Sequence, residues 1–225
     1  VGMRQLVLIL FLFSSVAATA RLTGAVGQAQ PMRMLIGKKA AAGGARVETD
    51  DFNRANEDPL GNGTWTNRSQ NLNVTSNAVG AGTNVDSYAF WSAGVAWGNN
   101  QYSQCTITSA AADVYNSVGV RMAATGDFGY ILSQNGTGLI LYYVNSAESW
   151  SVIVDYGTVT GLGVGDGIKL TISGTTLTAY HDDGAGFVQV GSTQTHSSIT
   201  SGSPGIAVFR TSTTPCLDNW EGGEL

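Results

Sequence analysis

The stretch GDGIKLTISGTTLTAYHDDGAGFVQVG, residues 165–191, decides the fold class. Ile168, Leu170 and Ile172 alternate with Lys169, Thr171 and Ser173, the period-two pattern of a half-buried strand. Gly174 then turns the chain, and Leu177 and Ala179 resume the alternation until Asp183-Gly184 turns it again. Three consecutive antiparallel strands with their turns written in make the chain all-β.

Working outward, composition agrees. The 178 residues from Glu48 onward suit one two-sheet sandwich rather than two domains, and can bury a full core without metal or disulfide. Thirty Gly against four Pro, with charged residues at only 12%, match short strands joined by many turns. Further alternating runs at 71–79, 101–109, 115–123, 130–133, 138–145, 150–156, 205–211 and 217–222 read as strands. The run 138–145 (GLILYYVN) is apolar on both faces and is expected at the centre of a sheet. So many strands without a helix predict a two-sheet antiparallel jelly-roll sandwich over 50–225.

Charge divides the chain. Six cations and no acid precede Glu48; from there five cations face sixteen acids, a net charge of −11. A body this acidic repels phosphate backbones, which argues against nucleic acid as its partner. In the leader, Arg4, the apolar run 6–13 (LVLILFLF) and Ala18-Thr19-Ala20 have the three parts of a secretory signal peptide over 1–20. That run is too short to span a bilayer. The other reading starts the protein at Met32 or Met34. In both, 21–49 is a basic Ala/Gly-rich linker or docking arm carrying Lys38, Lys39 and Arg46.

The opening DDFNRANEDPLGNGTW, the QYSQ of 101–104, the GVRM of 119–122 followed by Gly129-Tyr130, and the closing LDNWEGGEL resemble the concanavalin A-like, laminin-G-like jelly-roll domains of secreted bacterial and phage structural proteins. The resemblance spans essentially 50–225 and is carried by fold marks rather than site marks. It implies that the first and last strands lie side by side, with 51–54 near 219–222.

Glucanases, lyases, lectins and structural modules share that superfamily, so catalysis is a question for the residues. Glycosidases need two facing carboxylates, which a strand presents at i and i+2. The Glu-x-Asp-x-x-Glu motif of the glucanase members is absent here. Asp50/Asp51, Glu57/Asp58 and Asp182/Asp183 are adjacent pairs in turn sequences, where acids form turns. The chain therefore reads as no enzyme. His181 and His196 read as exposed, and two Cys without a close ligand pair argue against a zinc site. Calcium is the metal that turn carboxylates would suit, at Asp127, Asp182 and Asp183. Cys105 and Cys216 are a candidate disulfide, with two buried thiols the competing reading.

The aromatic-dense stretch around Trp97 supplies the candidate ligand site. Sugars stack their C–H faces on aromatic rings while amides take the hydroxyls, and Trp97 with Asn99, Asn100 and Gln101 has that chemistry. The competing reading has Phe90, Trp91 and Tyr102 filling the core and only Trp97 exposed. Two non-catalytic functions follow: a secreted glycan-binding or adhesion module, or a structural or decoration protein of a virion or extracellular assembly held by its basic arm. A glycan hydrolase is a distant third.

Overall fold

The computed structural model describes residues 45–225 except 62, 83–85, 111–113, 211–214 and 216, and only the backbone of residue 210. The leader, with the signal-peptide reading, Lys38 and Lys39, lies outside the described residues, and so does Cys216. The described chain forms fifteen strands: β1 Val47–Asp50, β2 Trp65–Arg68, β3 Leu72–Thr75, β4 Ala78–Ala81, β5 Ser87–Trp91, β6 Gln101–Ile107, β7 Val114–Met122 and β8 Gly129–Asn135. They continue with β9 Gly138–Val144, β10 Trp150–Thr158, β11 Gly167–Ser173, β12 Thr176–Asp182, β13 Val188–Thr195, β14 Ser203–Arg210 and β15 Leu217–Glu224.

Two antiparallel sheets result. An eight-stranded sheet runs β13-β12-β11-β6-β15-β4-β3, with β1 added against β15, and a seven-stranded sheet runs β10-β9-β8-β7-β14-β5-β2. The hairpin read from 165–191 is present in register, Ile168 facing His181 and Ile172 facing Leu177. The first and last strands pair as the resemblance implied, slightly upstream of the expected register: Val47 to Asp50 pair with Gly223 to Trp220. The end of the 21–49 segment is thus a strand of the sheet.

Alternation sends one set of side chains inward from each sheet. Ile168, Leu170, Ile172, Leu177, Ala179, Cys105 and Leu217 meet Val118, Val120, Leu132, Leu139, Leu141, Ile206 and Val208 in the main core. Trp220, 1% exposed, anchors one part of it, 4.6 Å from Trp65 and 5.2 Å from Trp91 between ring centroids. The indole N–H of Trp220 donates to Ser103 and that of Trp65 to Asp50, so neither buried polar atom is left unpaired.

Three details differ from the sequence expectation. Residues 71–79 form the hairpin β3–β4, turning at Ser76 (φ 52°) and Asn77 (φ 63°); two successive positive φ values make the tight turn that suits strand twist, without a glycine to announce it. Strand β9 is second from an edge, not central. It is apolar on both faces because its outward side packs into a second aromatic cluster. His181 is buried, its Nε2 2.9 Å from Asp166 Oδ2, whereas a solvated ring was expected.

One buried cation ties the sandwich together at one end. Arg121 is 3% exposed and sits at a bulge on β7 with φ 52°. Its guanidinium donates to the carbonyls of Asn99 (2.8 and 3.0 Å), Ile199 (2.6 Å) and Gly174 (2.6 Å), and its backbone N–H donates to Gln101 Oε1 at 2.9 Å. No carboxylate within 4 Å pairs with it among the described residues. Burial lowers its pKa, but an arginine starts high enough to stay charged. Replacing Arg121 by Met strands three carbonyls, each worth about 1–3 kcal/mol when left unpaired. Urea unfolding should therefore show a loss of roughly 3 kcal/mol or more, and Arg121→Lys should recover only part of it, because an ammonium lacks the planar fork.

Candidate functional site

The outer face of the seven-stranded sheet carries the second cluster. Side chains on successive strands stand in rows: Tyr142, Ile131, Gly119, Gly205 and Phe90 across β9, β8, β7, β14 and β5, and beside them Ile140, Ser133, Ser117, Ala207 and Tyr88. Both rows are large at the flanks and small in the middle, so the face forms a trough. Its floor has no spare room: a Cβ on Gly119 would lie 2.4 Å from Met122 Sδ. The hydroxyls of Ser117 and Ser133 satisfy each other there at 2.9 Å.

Trp150, at the start of β10, shows how far the sheet curls. Its ring lies 4.2 Å from Phe209 of β14 and 5.9 Å from Tyr88 of β5. In a flat sheet β10 and β14 would stand about 19 Å apart, four strand spacings of roughly 4.8 Å. The sheet must wrap towards this face, with Trp150 leaning over it. The wrap is fastened at one end by Arg68 of β2, whose Nε lies 3.6 Å from Glu148 in the β9–β10 turn. Arg68 joins opposite edges of one sheet, donates to the carbonyls of Ala123 and Gly126, and covers the Phe128 ring at 4.8 Å.

Tyr115, Tyr142 and Trp150 are the half-buried aromatics of this trough. Beneath and beside them Tyr88, Phe90, Phe128 and Phe209 are buried, a rigid aromatic bed. The hydroxyls of Tyr115 and Tyr142 make no hydrogen bond to another described residue. Burial chiefly, then Tyr115 and Asp155, push the Tyr142 pKa up, so its phenol stays protonated and remains a donor. Burial, then Glu148, raise the Asp86 carboxyl at the fastened end. Arg68, the cation on this face among the described side chains, is already engaged. The arrangement suits a neutral ligand with an apolar face and hydroxyls.

The residues expected to form the site are placed otherwise. Trp97 is 7% exposed; its N–H donates to Trp91 O at 3.2 Å, and Arg46 covers the ring at 3.8 Å. The Arg46 guanidinium is held by the carbonyls of Ala93 and Val95 and by Glu48. No sugar has access to that covered face, which corrects the expected exposed platform. Gln101 is fully buried and bridges Gly98, Gly202 and Arg121, Asn99 supplies a carbonyl to Arg121, and Asn100 Oδ1 accepts from Gly174 N–H. These four residues support the end of the sandwich. Of the core aromatics, Trp91 faces inward, while Phe90 and Tyr102 lie on outer faces.

The calcium candidates hold turns. Asp127 accepts from Tyr143 hydroxyl and Ser146 N–H, Asp182 from Gly184 and Gly186 N–H, and Asp183 from Ala185 N–H. Among the described residues no three His, Cys, Asp or Glu gather as a metal site. Cys105 is buried on β6 and faces the core. Among the described residues no helix is long and apolar enough to cross a membrane.

No family model and no curated protein matches the chain. Solved structures do. The carbohydrate-binding module CBM66 from Bacillus subtilis superposes with a TM-score of 0.52 at 17% identity, over 72% of this chain and 92% of that one. The Bacteroides ovatus xyloglucan PUL GH43B gives 0.50 at 15% identity, over 78% of this chain and 38% of that one. The CBM2 module of the evolved Dit of Lactobacillus casei BL23 phage J-1 gives 0.47 at 11% identity, over 80% and 95%. At these identities the likeness is one of fold.

Sequence reasoning did not single out Trp150, reading it as the first residue of the strand 150–156. Trp65, Trp91, Trp97 and Trp220 are each 7% exposed or less, leaving Trp150 as the tryptophan open to solvent. Acrylamide should quench chiefly its emission, and Trp150→Phe should remove most of the quenchable fraction while the far-UV spectrum is unchanged.

Proposed function

We propose that the chain is a non-catalytic glycan-binding module that acts outside the cell or on a virion surface, with its ligand seated in the trough of the seven-stranded sheet. The observation that carries the reading is the set Tyr115, Tyr142 and Trp150, half-exposed on a buried aromatic bed, with two phenols that make no hydrogen bond among the described residues. Aromatic faces meet the C–H faces of a sugar ring, and the free hydroxyls and the exposed Asp155 meet its hydroxyls. A bed that is already packed loses little freedom on binding, which preserves affinity. The carboxylates nearby favour neutral glycans over uronates or sulfated chains, since each would repel an anionic ligand.

The reading assigns the trough no chemistry. Glu148 is held by Arg68, and Asp155 Oδ1 accepts from Gly157 N–H at 2.8 Å. The assembly alternative rests on a free basic arm. Of the cations Lys38, Lys39 and Arg46 assigned to docking, Arg46 is engaged with Trp97 in the body, and Lys38 and Lys39 lie outside the described residues.

The test is a glycan array followed by titration calorimetry with Tyr115→Ala and Tyr142→Ala. Each should weaken binding at least tenfold, about 1.4 kcal/mol, with an unchanged unfolding midpoint. Binding indifferent to both changes, or no glycan bound at all, sinks the reading. Release of reducing ends from a bound glycan would replace it with a hydrolase.

A further inference from the structure

The outer face of the other sheet contains a gap of its own. Asp182, Gly167 and Thr106 stand side by side on β12, β11 and β6. Since Ile168, Leu170, Leu177, His181 and Cys105 point the other way, this row faces outward. Gly167 has no side chain, so the Phe187 ring packs over its backbone, and beside that ring lies an open cavity of about 280 Å³ whose lining includes Gln104, Thr106, Gly167, Asp182, Phe187 and Asn219. The Phe187 ring forms one wall: a Cβ on Gly167 would lie 3.0 Å from its Cζ.

The polar groups around the gap are open. The amide of Gln104 and the hydroxyl of Thr106 make no hydrogen bond to another described residue, although both are half-buried. Asp182 Oδ1 is taken by Gly184 and Gly186 N–H at 2.8 Å each, which leaves Oδ2 as an acceptor. Lys169, next along β11, holds its Nζ 4.2 Å from the Tyr102 ring centroid and 5.4 Å from that of Phe187. It has no carboxylate within 4 Å among the described residues. Glu221 Oε1 accepts a hydrogen bond from the Tyr102 hydroxyl at 2.6 Å. Donors, acceptors and an aromatic wall therefore surround a hole close to the lower end of the volumes that small ligands occupy.

We infer that this gap is a second sugar-binding site, which takes one neutral pyranose on Phe187 with Gln104, Thr106, Asp182 and Lys169 meeting its hydroxyls. The ligand class rests on the glycan reading above; the site itself is separate. Asp182, Asp218 and Glu221 outnumber Lys169 here, which disfavours an acidic sugar. The two sites lie on opposite outer faces of the sandwich. One molecule would then hold two glycan chains, and on a dense glycan surface the second engagement would be intramolecular and raise avidity.

The test is a ¹⁵N-resolved NMR titration of the full chain with D-glucose, D-galactose and D-mannose. At least one hexose should shift the Gln104 side-chain amide and the Gly167 and Phe187 backbone amides. Phe187→Ala and Gln104→Ala should each weaken that response at least tenfold while leaving shifts at Tyr115 and Tyr142 intact, and the same spectra report that the variants are folded. Shifts at Tyr115 and Tyr142 without any at Gly167 and Gln104 would overturn the second site alone. Silence at both faces would overturn it together with the glycan reading.

Discussion

A positive charge sealed among carbonyls sets the shape of one end of this molecule. Arg121 leaves β7 at a bulge and reaches the loops at Asn99, Gly174 and Ile199. A guanidinium removed from water needs its donors satisfied, and here main-chain oxygens from three separate connections do so. Those connections are thereby fixed relative to β7 at its middle position in the seven-stranded sheet. Gly202 sits so close that a Cβ there would lie 2.4 Å from the Arg121 carbonyl carbon, so backbone, not side chain, closes the joint.

With that end held, the seven-stranded sheet is free to curl at its outer face. Glycine, serine and alanine in the middle of its rows remove the bulk that would keep it flat, and Met122 and the aromatic rings of the flanks fill the hollow. Arg68 and Glu148 then join the two edges of the sheet. This ion pair is partly exposed, and such a pair alone contributes little. Its hydrogen bonds to the carbonyls of Ala123 and Gly126 give it a fixed geometry, and Phe128 supports it from below. The trough is thus a packed aromatic surface presented to solvent at one end and fastened at the other.

The two outer faces use one device in different ways. On one sheet glycines in the rows let neighbouring side chains close over them; on the other, Phe187 closes over Gly167 and the cavity lies beside the ring. Both follow from the strand period, since a missing side chain on the outward face is felt only by its cross-strand neighbours. Trp97 shows the opposite outcome. Its neighbours Gly98, Asn99, Asn100 and Gln101 look like an exposed polar loop in sequence, yet Arg46 arrives from just before the first strand and covers the ring.

The sequence by itself determined the strands, their turns and the sandwich. Alternation such as that of Ile168, Leu170 and Ile172 states which residues share a face, and a β-strand has only two faces to choose from. It also determined the acidic body and, through the resemblance, that the first and last strands pair. Only the tertiary structure decided which face each aromatic uses. Phe90, Tyr142 and Trp150 are as apolar as Trp91 and Leu141, and period two cannot tell an inward face from an outward one that another element covers. The fate of Trp97 and Trp150 was settled by contacts with Arg46 and Phe209, each far away in the chain, and such long-range pairings leave no mark in local sequence.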